Sequence, residues 1–440
     1  MRRRSRAASW CVVATAAVLA TAAGPAAPAS GTIRTAQTEP SPKACIHNNP
    51  SLAQLTPEQM AQTPWPQQML EYTQAWAFAR GAGVSVAVVD SGVDASHEQL
   101  VGHVRTGWDV TSGSVRPGGT TDCFGHGTAV AGIIAAQAVS GRAMTGIAPD
   151  ATIIPVRETW GIDSNGQPVT APVDDLLSAM RTAVDSGASI VNVSITVPDV
   201  QLRQDQRDAF NALAQYASDR NVLIVAASGN KDQYPELSNQ QFATYPAKLA
   251  VWFRNVIAVS GVTSDGKLDS NAVVGSFITV AAPDRGFPST KEHGGLLAVS
   301  GTSYAAPMVS GLAALLRSRF PQASAADLRA RIEATADHPS TDLPDPGVGY
   351  GVINPLAAVT AVMPPSATPV VIPASAGPLS TLTDGDATLK AVALGVGAVA
   401  VLLAGILAFT ADVARRGRRR GWKPGLRPPD AGAAGTRRSR

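Results

Sequence analysis

The chain has 440 residues, with 36 Lys and Arg against 33 Asp and Glu and a formal net charge of +3. Residues 1–6 carry four arginines and residues 413–440 ten basic residues against one acidic, which leaves a net −10 between Ala7 and Asp412 and excludes a basic, nucleic-acid-binding body. At 45% hydrophobic and 16% charged residues, the chain is too apolar to be disordered throughout and long enough for an ample core.

In chain order, residues 1–29 read as an export signal. An Arg-rich start precedes the apolar stretch Trp10 to Ala23, and Ala27-Pro28-Ala29 forms an A-x-A-like cleavage site. Cys11 lies at the start of the apolar region rather than after it, so a lipid-modified cysteine is disfavoured. Residues 30–64, rich in Pro, Gln and Thr, read as an extended strap.

Between residues 65 and 362 two patterns alternate. Strand-length, β-branched runs occur at Val84–Val89, Ile153–Val156, Ile190–Ile195, Val222–Ala226 and Val256–Val259. Helical segments lie at Thr128–Gln137, Val173–Ser186, Gln204–Arg220 and Ala305–Arg319. The alternation predicts an α/β domain with a mostly parallel sheet, buried on both faces and covered by helices. In such folds ligands bind beyond the carboxyl ends of the strands.

Residues 363–390 contain Pro364, Pro365, Pro369, Pro373 and Pro378 and read as a semi-rigid linker, up to roughly 80 Å long if fully in the polyproline conformation. Ala391 to Phe409 carries no charge. At about 1.5 Å per residue it would cover roughly 29 Å, the thickness of a bilayer core, so residues 391–410 are predicted to form one transmembrane helix. The cluster Arg415 to Arg420 places the tail, residues 411–440, in the cytoplasm and the large N-terminal part outside. After signal removal only Cys45 and Cys123 remain; one disulfide between them, or two free thiols, are the alternatives.

Chemistry concentrates at glycine-flanked strand ends and helix starts. The run Val84 to Val89 ends at Asp90, Gly125-His126-Gly127-Thr128 opens one helix, and Gly301-Thr302-Ser303-Tyr304-Ala305-Ala306-Pro307 opens another, with Pro307 expected in its first turn. An acid, an imidazole and a hydroxyl are the parts of a nucleophilic triad. Ser303 needs a base to take its proton, His126 is basic enough near neutral pH, and Asp90 would set the histidine tautomer. Ala227-Ser228-Gly229-Asn230 ends another strand and offers the Asn230 amide as a donor to an oxyanion. His97 and His103 lack the spacing of a helical zinc pair, so a metalloprotease is disfavoured and no metal or cofactor is expected.

These segments resemble the subtilisin-like serine proteases, whose motifs surround Asp, His and Ser in that chain order. The resemblance covers about Trp65 to Val362, and Gly349-Tyr350-Gly351-Val352-Ile353-Asn354 is similar to the segment that closes the family's domain. It implies a subtilisin-like three-layer fold and a serine endopeptidase working through an acyl-enzyme. Signal, strap, protease, Pro-rich linker, span and basic tail together resemble the mycosins, membrane-anchored proteases associated with type VII secretion. That resemblance implies protein or peptide substrates, a cell-membrane location with the catalytic domain extracytoplasmic, and the type VII secretion membrane complex as partner. Many secreted relatives carry a folding propeptide, for which residues 30–64 are too short. The second cysteine pair of many mycosins is absent, since no Cys follows Cys123. A Cys45–Cys123 bond would staple the strap beside His126. Two roles remain open: a protease acting on exported proteins, and a stabiliser of the secretion complex for which proteolysis is dispensable.

Overall fold

The β-branched runs line up as the centre of one layer, and what flanks them decides where the chemistry sits. The computed structural model describes residues 54–159, 171–237 and 240–363, together with Arg416. The signal segment, most of the strap including Cys45, the Pro-rich linker and residues 391–410 lie outside the described residues. Among the described residues no helix is long and apolar enough to cross a membrane.

The strands are β1 (Ser85–Asp90), β2 (Gly107–Asp109), β3 (Arg116–Gly118), β4 (Thr152–Arg157), β5 (Ile190–Val193), β6 (Val197–Pro198), β7 (Leu223–Ala227), β8 (Thr244–Tyr245), β9 (Val256–Val262), β10 (Val280–Pro283), β11 (Arg285–Thr290) and β12 (Leu296–Ser300). Eight of them form one sheet in the order β10-β9-β7-β5-β1-β4-β2-β3. Every pairing in it is parallel except β2 with β3 at the edge. β11 and β12 make a separate antiparallel hairpin, and β6 pairs with β8.

The helices are α1 (Pro57–Met60), α2 (Trp65–Leu70), α3 (Tyr72–Ala75), α4 (His126–Ala135), α5 (Val173–Asp185), α6 (Gln204–Asp219), α7 (Thr302–Arg319), α8 (Ala325–Thr335) and α9 (Pro355–Thr360). Alternate strand residues feed two cores. Val86 and Val88 of β1 join α4 and α7 on one face, while Ala87 and Val89 join α5 and α6 on the other. Each large aliphatic side chain buried there contributes about 1.5–3 kcal/mol, which makes the three-layer arrangement the stable one. α5 buries Leu176, Ala179, Met180, Ala183 and Val184, the single stripe expected of a helix with one wet face.

The predicted parallel core is present, but its edges were not legible. β2 and β3 are three residues each and contain Gly107, Pro117 and Gly118, so no apolar period marks them. Pro117 is tolerated because β3 is an edge strand. Both predicted N-terminal helix boundaries shift towards the site: α4 starts at His126 rather than Thr128, and α7 at Thr302 rather than Ala305.

Candidate active site

β1 carries Asp90 out of the core at its carboxyl end, and parallel β4 pairs Arg157 with it. His126 is the first residue of α4, behind Gly125 in a left-handed conformation with φ 87°. Their approach depends on Gly127, where a Cβ would collide with the Gly92 carbonyl and press on the Asp90 Cβ. His126 Nδ1 lies 2.8 Å from Asp90 Oδ1. A carboxylate only accepts, so Nδ1 donates and Nε2 keeps its lone pair. Burial pulls the His126 pKa down, but the Asp90 charge and hydrogen bond, with Asp122 behind them, outweigh it and hold the pKa above the ordinary imidazole value.

Asp122, which no pattern in the sequence marked, builds the turn that presents the histidine. Its Oδ1 accepts from the Ser91 hydroxyl (2.9 Å), the Phe124 N–H (3.1 Å) and the Gly125 N–H (2.9 Å). Its Oδ2 accepts from the Thr128 N–H (2.8 Å) and hydroxyl (2.7 Å). Ser91 in turn accepts from the Gly127 N–H at 3.0 Å. Only its place four residues before His126 could have pointed to it. Asp122→Ala strips acceptors from this buried turn, where each orphaned donor costs about 1–3 kcal/mol. A loss of at least about 3 kcal/mol is expected in chemical denaturation; a loss below about 1 kcal/mol would show that the turn holds without it.

Ser303 lies inside the first turn of α7, and Pro307 is inside the helix proper, deeper than the sequence reading placed it. That depth matters chemically. Pro307 has no N–H for the carbonyl four residues back, which is that of Ser303. The freed carbonyl accepts from the Ser194 hydroxyl at 2.8 Å, and the Ser303 hydroxyl donates to the Ser194 carbonyl at 3.1 Å. Ser194 accepts from Asn192 Nδ2 (2.9 Å), and Asn192 Oδ1 accepts from the Ser310 hydroxyl (2.8 Å). This polar chain ties the start of α7 to the end of β5. Asn192 and Ser194 were legible only as polar residues in an apolar run.

Among the described residues the Ser303 hydroxyl bonds to Ser194 and not to His126. The two segments nevertheless meet, because the Tyr304 and His126 rings lie 4.9 Å apart. A serine hydroxyl is a rotor, and catalytic hydrogen bonds often close only when substrate is present.

Asn230 follows β7. Its Oδ1 accepts from the Thr302 N–H (3.0 Å) and hydroxyl (3.2 Å). A backbone N–H can only donate, so the amide oxygen must face Thr302 and Nδ2 must face away. Gly301, at φ 125°, leaves that nitrogen open: a Cβ there would sit 3.1 Å from it. A space of about 370 Å³ adjoins it, lined by Asn230, Gly301, Ser300, Arg285, Asn271 and Asp232.

An acid-backed imidazole at the start of α4, a hydroxyl at the start of α7 and an open amide after β7 thus gather beyond the carboxyl ends of the parallel strands, with β5 between β1 and β7. Residues 81–351 match the subtilase family, peptidase S8, and this range contains all of them. Mycosin-4 of Mycobacterium tuberculosis is 35% identical over 403 residues, covering 84% of this chain and 83% of the relative. The chain belongs to the subtilase family, and within it to the mycosins.

It is accordingly a serine-type endopeptidase. The structure of MycP1, a serine protease and essential component of the type VII (ESX-1) secretion system, has a TM-score of 0.59 and 30% identity, over 70% of this chain and 92% of that one. A chain of an intact ESX-5 inner membrane complex has a TM-score of 0.60 and 29% identity, over 82% of this chain and 93% of that one.

Two further features of this mycosin bear on the sequence reading. Cys123 is disulfide-bonded, and Cys45 lies outside the described residues. His97 is buried, with Nε2 on the Gly295 carbonyl (2.9 Å) and Nδ1 accepting from the Gln99 N–H (3.1 Å); both nitrogens are spent on structure. Among the described residues no group of three or more His, Cys, Asp or Glu could hold a metal ion.

Proposed function

We propose that Asp90, His126 and Ser303 are the catalytic triad and that Asn230 is the side-chain donor to the oxyanion. The observation that carries this reading is the 2.8 Å hydrogen bond that holds His126 by Nδ1 on Asp90 and leaves Nε2 basic. His126 Nε2 takes the Ser303 proton as Oγ bonds to the scissile carbonyl carbon. The carbonyl oxygen becomes an oxyanion, met by Asn230 Nδ2 and by the N–H of Ser303, which has no helical partner in the first turn. Collapse breaks the peptide C–N bond, and the leaving amine carries off the proton from His126. Water, deprotonated by the same imidazole, then hydrolyses the acyl-enzyme and restores Ser303.

The substrates are exported proteins, cut at the outer face of the cell membrane in association with a type VII secretion complex. Support comes from the relatives described as a component of such a system and as part of an inner membrane complex. In this reading residues 1–29 direct export, 30–64 form a strap joined by Cys45–Cys123, 65–362 form the protease, 363–390 the linker, 391–410 the single span and 411–440 the cytoplasmic tail.

A fluorophosphonate probe is expected to label the wild type and to leave Ser303→Ala unlabelled; labelling that persists would sink the assignment. Asn230→Ala should lower kcat by roughly 10²–10³-fold with little change in KM, because the lost bond strengthens only as the oxyanion forms. A rise in KM alone would contradict that role. The occurrence of relatives in assembled complexes also supports a stabilising role independent of proteolysis. Export measured with Ser303→Ala and with a full deletion separates the two: equal defects leave the scaffold unsupported.

A further inference from the structure

Just behind the nucleophile turn lies a second pair of acids that the triad does not use. Asp284, between β10 and β11, is fully buried, and among the described residues neither carboxyl oxygen meets a donor. Its carboxyl fills the place that a side chain on Gly261 of β9 would take. The buried Asp269 stands at the same glycine, its N–H donating to the Gly261 carbonyl at 2.9 Å, which brings its carboxyl to that of Asp284. Asp269 is already engaged by the Asn271 N–H (3.0 Å) and by the Arg285 guanidinium. The charged groups facing Asp284 are therefore Asp269, from the loop after β9, and Arg285, the next residue and the first of β11. Gly261 and Gly301, which pack on the other sides, bring none.

Two carboxylates, both acceptors, cannot share a dry contact without a proton between them. Against burial, the Asn271 N–H and Arg285 hold Asp269 below the ordinary carboxylate range, so the proton belongs to Asp284. We infer that Asp284 is a positioning residue, a neutral carboxylic acid that donates to Asp269 and thereby holds the turn carrying Ser303. Its backbone supplies the link: the Asp284 carbonyl accepts from the Gly301 N–H at 2.6 Å. Gly301 leads into Thr302, which orients Asn230, so a shift of Asp284 is delivered to the oxyanion donor. Burial first, then the Asp269 charge and hydrogen bond, push the Asp284 pKa up to about 8. Above that pH two negative charges face one another beneath the turn.

The inference rests on the roles proposed for Ser303 and Asn230, so its test includes readouts that need no activity. An unfolded Asp284 ionises near about 3.9, whereas the folded one keeps its proton to a much higher pH. Stability must therefore fall as pH rises between those values and level off beyond the upper one. In the full-length protein, the Tm advantage of Asp284→Asn over wild type should grow from about pH 5 to about pH 8 and then stay constant. An offset that does not change with pH overturns the inference.

The infrared difference between wild type and Asp284→Asn at neutral pH should show a protonated carboxyl band. Asp122, Glu158 and Glu292, whose pKa values are also raised, cancel in that difference, and no band means no neutral acid. In peptide hydrolysis, wild-type kcat should drop by at least about threefold between about pH 7.5 and 9.5 while the variant keeps a flat alkaline limb. Equal limbs overturn the positioning role. Should Asp284→Asn not fold, Asp269→Asn removes the charge that an ionised Asp284 would face, so its kcat should lose the wild-type alkaline drop; a drop kept unchanged overturns the inference. A Tm that responds to added calcium and not to pH would put a cation between the carboxyls and would overturn it as well.

Discussion

Ser303→Ala is expected to lower kcat/KM for a peptide substrate by on the order of 10⁶-fold, the size of the nucleophile loss in subtilisin itself. The fold should barely notice. Among the described residues the lost group makes a single hydrogen bond, to the Ser194 carbonyl, worth about 1 kcal/mol, and the carbonyl that Pro307 frees still has its Ser194 hydroxyl. His126→Ala should cost a similar factor, and the double variant no more than either alone, since hydroxyl and base act as one unit. Retention of more than about one per cent of activity in Ser303→Ala would remove it as nucleophile.

Asp90→Asn should keep the geometry and still cost about 10⁴-fold in kcat. An amide nitrogen facing His126 requires Nδ1 to accept, which puts the proton on Nε2, where it can no longer act as base. The pH profile gives a second readout. In the wild type, neutral His126 is the active form and its pKa is raised, chiefly by Asp90 acting against burial. The acid limb of kcat/KM therefore lies above the ordinary imidazole value of about 6.5, and in Asp90→Asn any residual activity should have its limb at lower pH. Stability follows the same sign. The Asp90–His126⁺ interaction is fully present below about pH 6.5 and is lost as pH rises through the raised pKa, so Asp90→Asn should be most destabilising in acid. An acid limb that stays in place would mean that Asp90 does not control the imidazole.

The local part of this architecture could be read without coordinates because it is written in short periods. Uninterrupted β-branched runs mark strands buried on both faces, and glycines beside Asp90, His126 and Ser303 mark turns where backbones approach closely. The structure brings Asp90 and His126 into contact and sets Asn230 against Thr302, the neighbour of Ser303. Helix starts were legible less well. His126 and Ser303 each enter their helix without a side-chain cap, behind Gly125 and Gly301, so the usual Ser, Thr or Asp signal was missing at both.

What sequence alone determined is the parallel core and which side chains stand at its carboxyl ends, since each depends on residues a few positions apart. Tertiary structure alone decided what holds them: Asp122 under the histidine turn, Ser194 on the carbonyl that Pro307 frees, and Asp284 behind Gly301. Ser194 and Ser303 are 109 residues apart in the chain and Asn230 and Thr302 are 72 apart. A buried polar group must find a partner wherever folding brings one, and that partner leaves no period in the sequence.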